Sequence, residues 1–233
     1  MQNRSNIIVL GGHRLSTTYI RHLLKAKANG LIHFDQLSFI DPHTDPCALK
    51  EIREPLHFIN QTYTQGLQQI FESTAIDDLA QMCVIPDHTA PHVLFQLFID
   101  WLKAKNIETK IIPFVQDLNL PFQKTLDSGI CAISYATWIC PLECEEPDTC
   151  PAINNKRHWD FAKFLKEIKF EGLGHLSLFG CNQLAYGVCE IPLLLIRDEF
   201  QKLTQSLKPG DTFLVGTHSK CHGILGVGQI YKH

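Results

Sequence analysis

Three cysteines, Cys140, Cys144 and Cys150, fall within the stretch CPLECEEPDTCP, interleaved with Glu143, Glu145, Glu146 and Asp148. A thiol acts as a nucleophile or a metal ligand only as its thiolate. Carboxylates alongside raise thiol pKa values by like-charge repulsion, so an unliganded loop of this composition is a poor home for thiolates. A bound cation reverses that balance and holds the sulfurs deprotonated. Pro141, Pro147 and Pro151 stiffen the loop and reduce the entropy lost on closing it around an ion. The loop therefore reads as three ligands of a metal site. Cys221, in HSKCHG beside His218 and His222, is the first candidate for the fourth. Cys131 in an apolar segment is the second, and Cys181 and Cys189 on either side of NQLAYGV come next. Cys83 reads as an ordinary buried cysteine, and Cys47 as a loop residue without an assigned role.

The spacing C-x3-C-x5-C lacks the two close pairs usual in zinc sites. Proline follows both Cys140 and Cys150, a pattern found in cluster-binding loops. An iron–sulfur cluster is the first expectation for the cofactor, with zinc as the alternative. The spacing is neither the bacterial ferredoxin run nor the C-x3-C-x2-C of radical SAM enzymes, since Pro147 stands where that third cysteine would fall. Cys221 with His218 or His222 as base is a weaker option for nucleophilic chemistry. Neither G-x-S-x-G nor H-E-x-x-H occurs, which disfavours serine hydrolase and common zinc protease readings.

The elements that must position these residues alternate in the first half. NIIVLGG reads as a buried strand running into glycines, and LSTTYIRHLLKAKANG as a helix with Leu15, Tyr19, Ile20, Leu23 and Leu24 on one face, stopped at Asn29-Gly30. QLSFIDP, LHFIN, MCVIP and TKIIPF read as further strands. PHVLFQLFIDWLKAKN reads as a helix opened by Pro91, with Val93, Leu94, Leu97, Phe98, Trp101 and Leu102 as its apolar stripe. This alternation predicts an α/β domain over residues 1–115, a doubly wound and mostly parallel sheet. A smaller α+β cysteine-rich, metal- or cluster-binding region follows over residues 116–233, with a helix in WDFAKFLKEIKF and another in RDEFQKLTQSL.

In a doubly wound sheet ligands bind outside the carboxyl ends of the strands. Gly11, Gly12, His13, Asp41, Asp87 and His88 gather at that predicted edge, with Arg14, His43 and His92 nearby, and form the candidate cofactor-binding set. A dinucleotide turn wants glycine at its first, third and sixth positions; counting from Gly11, the third is His13 and the sixth Ser16. A side chain at position 13 crowds the path of a pyrophosphate, so NAD(P) is disfavoured and the glycines are read first as a plain turn. Asp87, His88 and Thr89 are read evenly as helix caps or as ligands.

The strand–Gly11-Gly12–helix junction, with Asp41 ending the second strand, resembles the Rossmann-like nucleotide-binding domains of potassium-uptake regulators over about the first half of the chain. SYATWICPLEC, EPDTC, QLAYGV and KCHG make most of the chain similar to uncharacterised bacterial proteins that pair a Rossmann-like half with a cysteine-rich half. That second resemblance implies that Cys140, Cys144, Cys150 and Cys221 belong together.

The totals bound the partners. The 233 residues, 45% hydrophobic and 19% charged, suffice for a packed core. A net charge of −3 without a long basic run argues against nucleic acid. The apolar run at Ile7 to Leu10 is too short for a signal peptide or a membrane span, so a cytoplasmic protein without membrane contact is expected. Structural disulfides are uncommon there, and nine cysteines, an odd number, cannot all pair. The overall expectation is a metal- or iron–sulfur-binding protein doing redox or metal-handling work on a small molecule or nucleotide. The alternative is a non-catalytic nucleotide- or anion-binding module with a structural zinc.

Overall fold

The computed structural model describes residues 2–86, 92–167, 169–170 and 172–232. In chain order the first elements are β1 (Gln2–Leu10), α1 (Arg14–Ala28), β2 (Ile32–Ile40), α2 (Cys47–Glu51), β3 (His57–Ile59), α3 (Tyr63–Ser73), α4 (Ile76–Leu79) and β4 (Met82–Ile85). Then come α5 (Val93–Ala104), β5 (Glu108–Ile112), β6 (Phe122–Thr125), β7 (Cys131–Ser134), β8 (Thr149–Cys150), β9 (Asn155–Lys156) and α6 (Phe161–Glu167). The chain continues through β10 (His175–Gly180), β11 (Asn182–Ala185), β12 (Val188–Pro192), α7 (Leu193–Ser206), β13 (Thr212–His218) and β14 (His222–Lys232). Two compact units result. One comprises Met1–Val93 and Asn182–Asp198, the other Leu94–Cys181 and Glu199–His233.

The first unit holds a six-stranded sheet in the order β11-β12-β4-β1-β2-β3. β4, β1, β2 and β3 are parallel, but β12 runs antiparallel to β4, and β11 antiparallel to β12. The expected doubly wound parallel sheet is therefore incorrect: both sheets are mixed and rich in antiparallel pairs. The reason lies in two segments. TKIIPF was expected as a fifth parallel strand, yet β5 alternates exposed and half-buried residues and pairs antiparallel with β14 in the second unit. Central parallel strands are buried on both faces and need continuous apolar runs, as in β4. The place beside β4 is taken instead by β12, whose run EIPLLLI is divided between a strand ending at Pro192 and the start of α7.

The core of the first unit follows from its sequence pattern. Ile7, Ile8, Val9 and Leu10 of β1 are fully buried, and α1 lays Tyr19, Ile20, Leu23 and Ala26 over the sheet. The α1 helix stops as its sequence predicts, with Asn29 as C-cap and Gly30 at φ +69°. The β11–β12 turn is clamped to α1: the Tyr186 carbonyl lies 2.9 Å from His22 Nδ1, and Asn29 donates to the Tyr186 hydroxyl at 2.9 Å. Lys25 sits 4.4 Å from the centre of the same ring.

The second unit has a sheet in the order β10-β13-β14-β7-β6, with β5 also paired to β14. The long strand β14 organises it, pairing antiparallel with β13 along one edge and with β7 and then β5 along the other. Phe95 and Phe98 of α5 pack on Phe213, and Phe98 also meets Phe200. Glycines let the strand approach these rings; a Cβ at Gly226 would lie 2.4 Å from Phe95. A further apolar cluster joins Phe114, Cys131, Ile133, Phe161, Leu165, Leu214 and Leu225. The α5 stripe is buried as expected except at Trp101, which is half-buried, whereas Pro91 and Ile168 lie outside the described residues. Among the described residues no helix is long and apolar enough to cross a membrane.

One ion pair ties three neighbouring strands of the first unit. Arg4 of β1 donates through Nε to Glu190 of β12 at 2.8 Å and pairs with it again through Nη2, across β4. Glu190 is 1% exposed and the Arg4 side chain 21%. Glu190→Ala leaves the guanidinium half-buried without its partner, and thermal unfolding should show a loss of about 2–3 kcal/mol, reduced from the fully buried case because Arg4 reaches solvent.

Candidate functional site

The glycine turn of the first unit brings Gly11, Gly12, His13 and Asp41 together. Gly11 adopts φ +91°, and Gly12 packs so tightly that a Cβ there would lie 2.7 Å from the Pro46 Cβ. His13 caps α1, its Nδ1 accepting from the Leu15 amide. Asp41 is buried with both oxygens engaged. Oδ2 accepts the Gly12 N–H at 2.6 Å; Oδ1 accepts the His43 amide at 2.8 Å and lies 2.9 Å from His43 Nδ1. The Gly12 donor that would face a phosphate is thus committed to a carboxylate of the chain itself. The glycines serve close packing, as the plain-turn reading has it. His92 is buried at φ 57°, ahead of α5, while Asp87 and His88 lie outside the described residues.

The cysteines of the second unit converge. The Cys140 thiol is influenced by Cys144, Cys221, Cys150 and Glu146, so the three loop sulfurs and Cys221 share one neighbourhood. Two strand pairs assemble it. The β8–β9 hairpin fixes Cys150, which is buried. The β13–β14 turn supplies Cys221, whose carbonyl accepts the Tyr135 amide at 3.0 Å just beyond β7. Gly223 permits this: a Cβ there would lie 2.6 Å from the Phe161 ring. Cys131 is built into the apolar cluster instead, and Cys83 lies buried in β4 of the first unit. None of the nine cysteines is in a disulfide.

Residues other than the cysteines complete the site. Glu146, at φ 51°, is the buried one of the loop's four acids. It accepts the Ser219 hydroxyl at 2.6 Å and the Lys220 amide at 2.9 Å, while Lys220 Nζ donates to its carbonyl at 3.1 Å. This ties the acidic loop to the KCHG segment. Glu143, Glu145 and Asp148 are exposed. His222, expected to serve Cys221, addresses Cys140: its Nε2 lies 3.5 Å from Cys140 Sγ, and its Nδ1 lies 2.9 Å from Ser134 Oγ.

Arg157 donates through Nη2 to Cys144 Sγ at 3.9 Å and also interacts with Cys221 and Cys150. The Trp159 indole N–H stands beside Cys221. Arg157 and Trp159 are half-buried, while His158 and Asp160 between and after them are exposed.

The surroundings push the Cys140 and Cys221 thiols up. Burial raises the Cys140 pKa first, followed by the other three thiols and Glu146. Burial and then Glu146 raise that of Cys221, outweighing Trp159 and Arg157, which act in the opposite direction. As they stand, among the described residues no three His, Cys, Asp or Glu side chains are grouped to hold a metal ion.

The class defined by fold and site is therefore a mixed α/β chain whose second unit brings four thiols, two buried and two half-buried, near the Arg157 guanidinium and the His222 ring. The model of the family described as "Uncharacterized protein, C-terminal domain" (AF_1314_C) matches residues 90–231, more than half of the chain, and the chain belongs to that family. The comparisons with curated proteins and with solved structures gave no match.

Two outcomes follow from this geometry. Asp41→Ala strands the Gly12 amide inside the turn and should cost about 1–3 kcal/mol in denaturant unfolding. The folded pKa values of Cys140 and Cys221 lie above those of the unfolded chain, so the folded state holds more protons between the two values. Reduced, metal-free protein should lose stability, and its melting temperature should fall, as pH rises above the unfolded thiol value of about 8.5. Alkylation of Cys140 by iodoacetamide, slow at neutral pH, should accelerate over the same range.

Proposed function

We propose that Cys140, Cys144, Cys150 and Cys221 hold an iron–sulfur cluster and that the protein does redox work on a small molecule. One observation carries the reading: four thiols far apart in sequence are drawn into one half-buried place and surrounded by N–H donors from Arg157, Trp159 and His222. Hydrogen bonds to sulfur are a main control on such centres. Burial that pushes the Cys140 and Cys221 thiols up offers little to a free nucleophile there, whereas a bound cation would convert all four cysteines into ligands. Nine cysteines with no disulfide among them fit a reducing compartment, so we place the protein in the cytoplasm.

A second reading, a structural zinc, rests on His222. Its 3.5 Å separation from the Cys140 sulfur is that of two ligands on one tetrahedral ion with bonds of about 2.3 and 2.0 Å. Its other nitrogen is oriented by Ser134, as ligating histidines usually are.

Protein purified without air should be brown, absorb broadly near ~400 nm and contain iron and acid-labile sulfide, and Cys140→Ser or Cys221→Ser should abolish both. Colourless protein with stoichiometric zinc, lost in His222→Ala, selects the second reading. Wild-type protein that retains neither metal under reducing, anaerobic conditions overturns the metal centre altogether.

A further inference from the structure

The sulfur site contains buried N–H donors that meet its thiols only outside normal hydrogen-bond geometry. Arg157 Nε and Nη1 and Trp159 Nε1 are buried without a hydrogen bond of normal geometry, and the Arg157 Nη2 contact with Cys144 is long at 3.9 Å. Buried donors of this kind are costly and uncommon in native proteins. A protonated thiol is a weak acceptor, but a thiolate bound to a metal is an anionic one.

Both side chains are held in place by structure other than the sulfurs. The Arg157 amide donates to the Asp148 carbonyl at 2.8 Å, which continues the β8–β9 hairpin and seats the residue across from the Cys150 strand. Trp159 stacks on Tyr135, with ring centres 5.6 Å apart and planes at 16°, and the Tyr135 amide is bound to the Cys221 carbonyl. A guanidinium and an indole N–H are thus fixed beside Cys221 whether or not an ion is bound.

We propose, resting on the metal-centre reading above, that Arg157 and Trp159 are positioning residues of that centre. They donate N–H···S hydrogen bonds to the ligated sulfurs, and Arg157 offsets the negative charge that four thiolates leave around a dicationic ion or cluster core. Neither residue is a ligand. Their effect is to let a four-thiolate centre form in a half-buried site that also contains the Glu146 carboxylate. The charge of Arg157 and the directionality of Trp159 are separable contributions, because Trp159→Phe keeps the stack on Tyr135 and removes only the donor.

The test uses the full chain, purified anaerobically as wild type, Arg157→Gln, Arg157→Lys and Trp159→Phe. Metal content, transfer of the metal to a colorimetric chelator and the sulfur-to-metal charge-transfer absorption are measured for each. In Arg157→Gln the metal per chain should be unchanged when metal is in excess, while affinity for it falls about tenfold or more. Its charge-transfer band should move to lower energy as sulfur loses its hydrogen bonds. Arg157→Lys should recover part of the affinity, and Trp159→Phe should show a smaller shift in the same direction. Wild-type and Arg157→Gln proteins with equal affinity and superimposable bands overturn the inference and leave the metal centre standing. Tighter binding in Arg157→Gln also overturns it, since Arg157 would then be a competitor for the ion's place. Wild-type protein without metal removes both readings together.

Discussion

The buried carboxylate of Glu146 is the constraint on which the sulfur site depends. An acid taken out of water is tolerated only if its oxygens are met by donors, and here one receives the Ser219 hydroxyl and the other the Lys220 amide. The same residue uses its carbonyl to bind the Lys220 ammonium. Three contacts fasten the acidic loop to the β13–β14 turn. That turn places Cys221 beside the loop sulfurs and, one residue later, His222 beside Cys140. Without this clasp the loop bearing Cys140 and Cys144 has few other anchors, since Leu142 and Ile139 are exposed on either side of Pro141.

The first unit solves a similar problem in the same way. Asp41, at the end of β2, accepts the backbone N–H of Gly12 and closes the turn into α1. In both places a buried carboxylate supplies the negative partner that a turn's amide needs, and a glycine nearby gives the backbone room. The chemical outcomes differ. At Asp41 the internal anion occupies the one place where an external anion would have been expected. At Glu146 the internal anion lies among thiols, and the positive charge of Arg157 stands opposite it.

Local features were legible from the sequence where one residue type meets one physical need. The runs Ile7–Leu10 and Met82–Ile85, the apolar stripes of α1 and α5 and the Asn29-Gly30 stop all stand where periodicity and turn chemistry put them. Sheet topology was not legible, because EIPLLLI suits a strand or a buried helix equally and only pairing with β4 decides how it is divided. At the site, cysteine spacing pointed to the three loop thiols and KCHG to Cys221. Arg157, Trp159 and Ser134 left no such mark. Their importance comes from contacts made across the second sheet, and arginine or tryptophan in an irregular stretch has many innocent explanations. The acid-rich composition suggested carboxylates acting on sulfur; Glu146, the buried acid of the loop, raises Cys140 and Cys221, with burial the larger cause at both.

The distance along the chain between the halves of the site has a kinetic meaning. Cys140 and His222 are separated by 82 positions and Glu146 and Lys220 by 74, so the cluster closes only when β14 has paired with β7. Non-local antiparallel pairing is slow compared with helix or hairpin formation. During synthesis the three loop cysteines emerge well before Cys221, and for that interval they are accessible thiols without the clasp, the guanidinium pairing or the histidine arranged around them. Order of assembly thus separates an early state, able to capture ions or oxidants indiscriminately, from a late one whose geometry is set by the last strand pair to form.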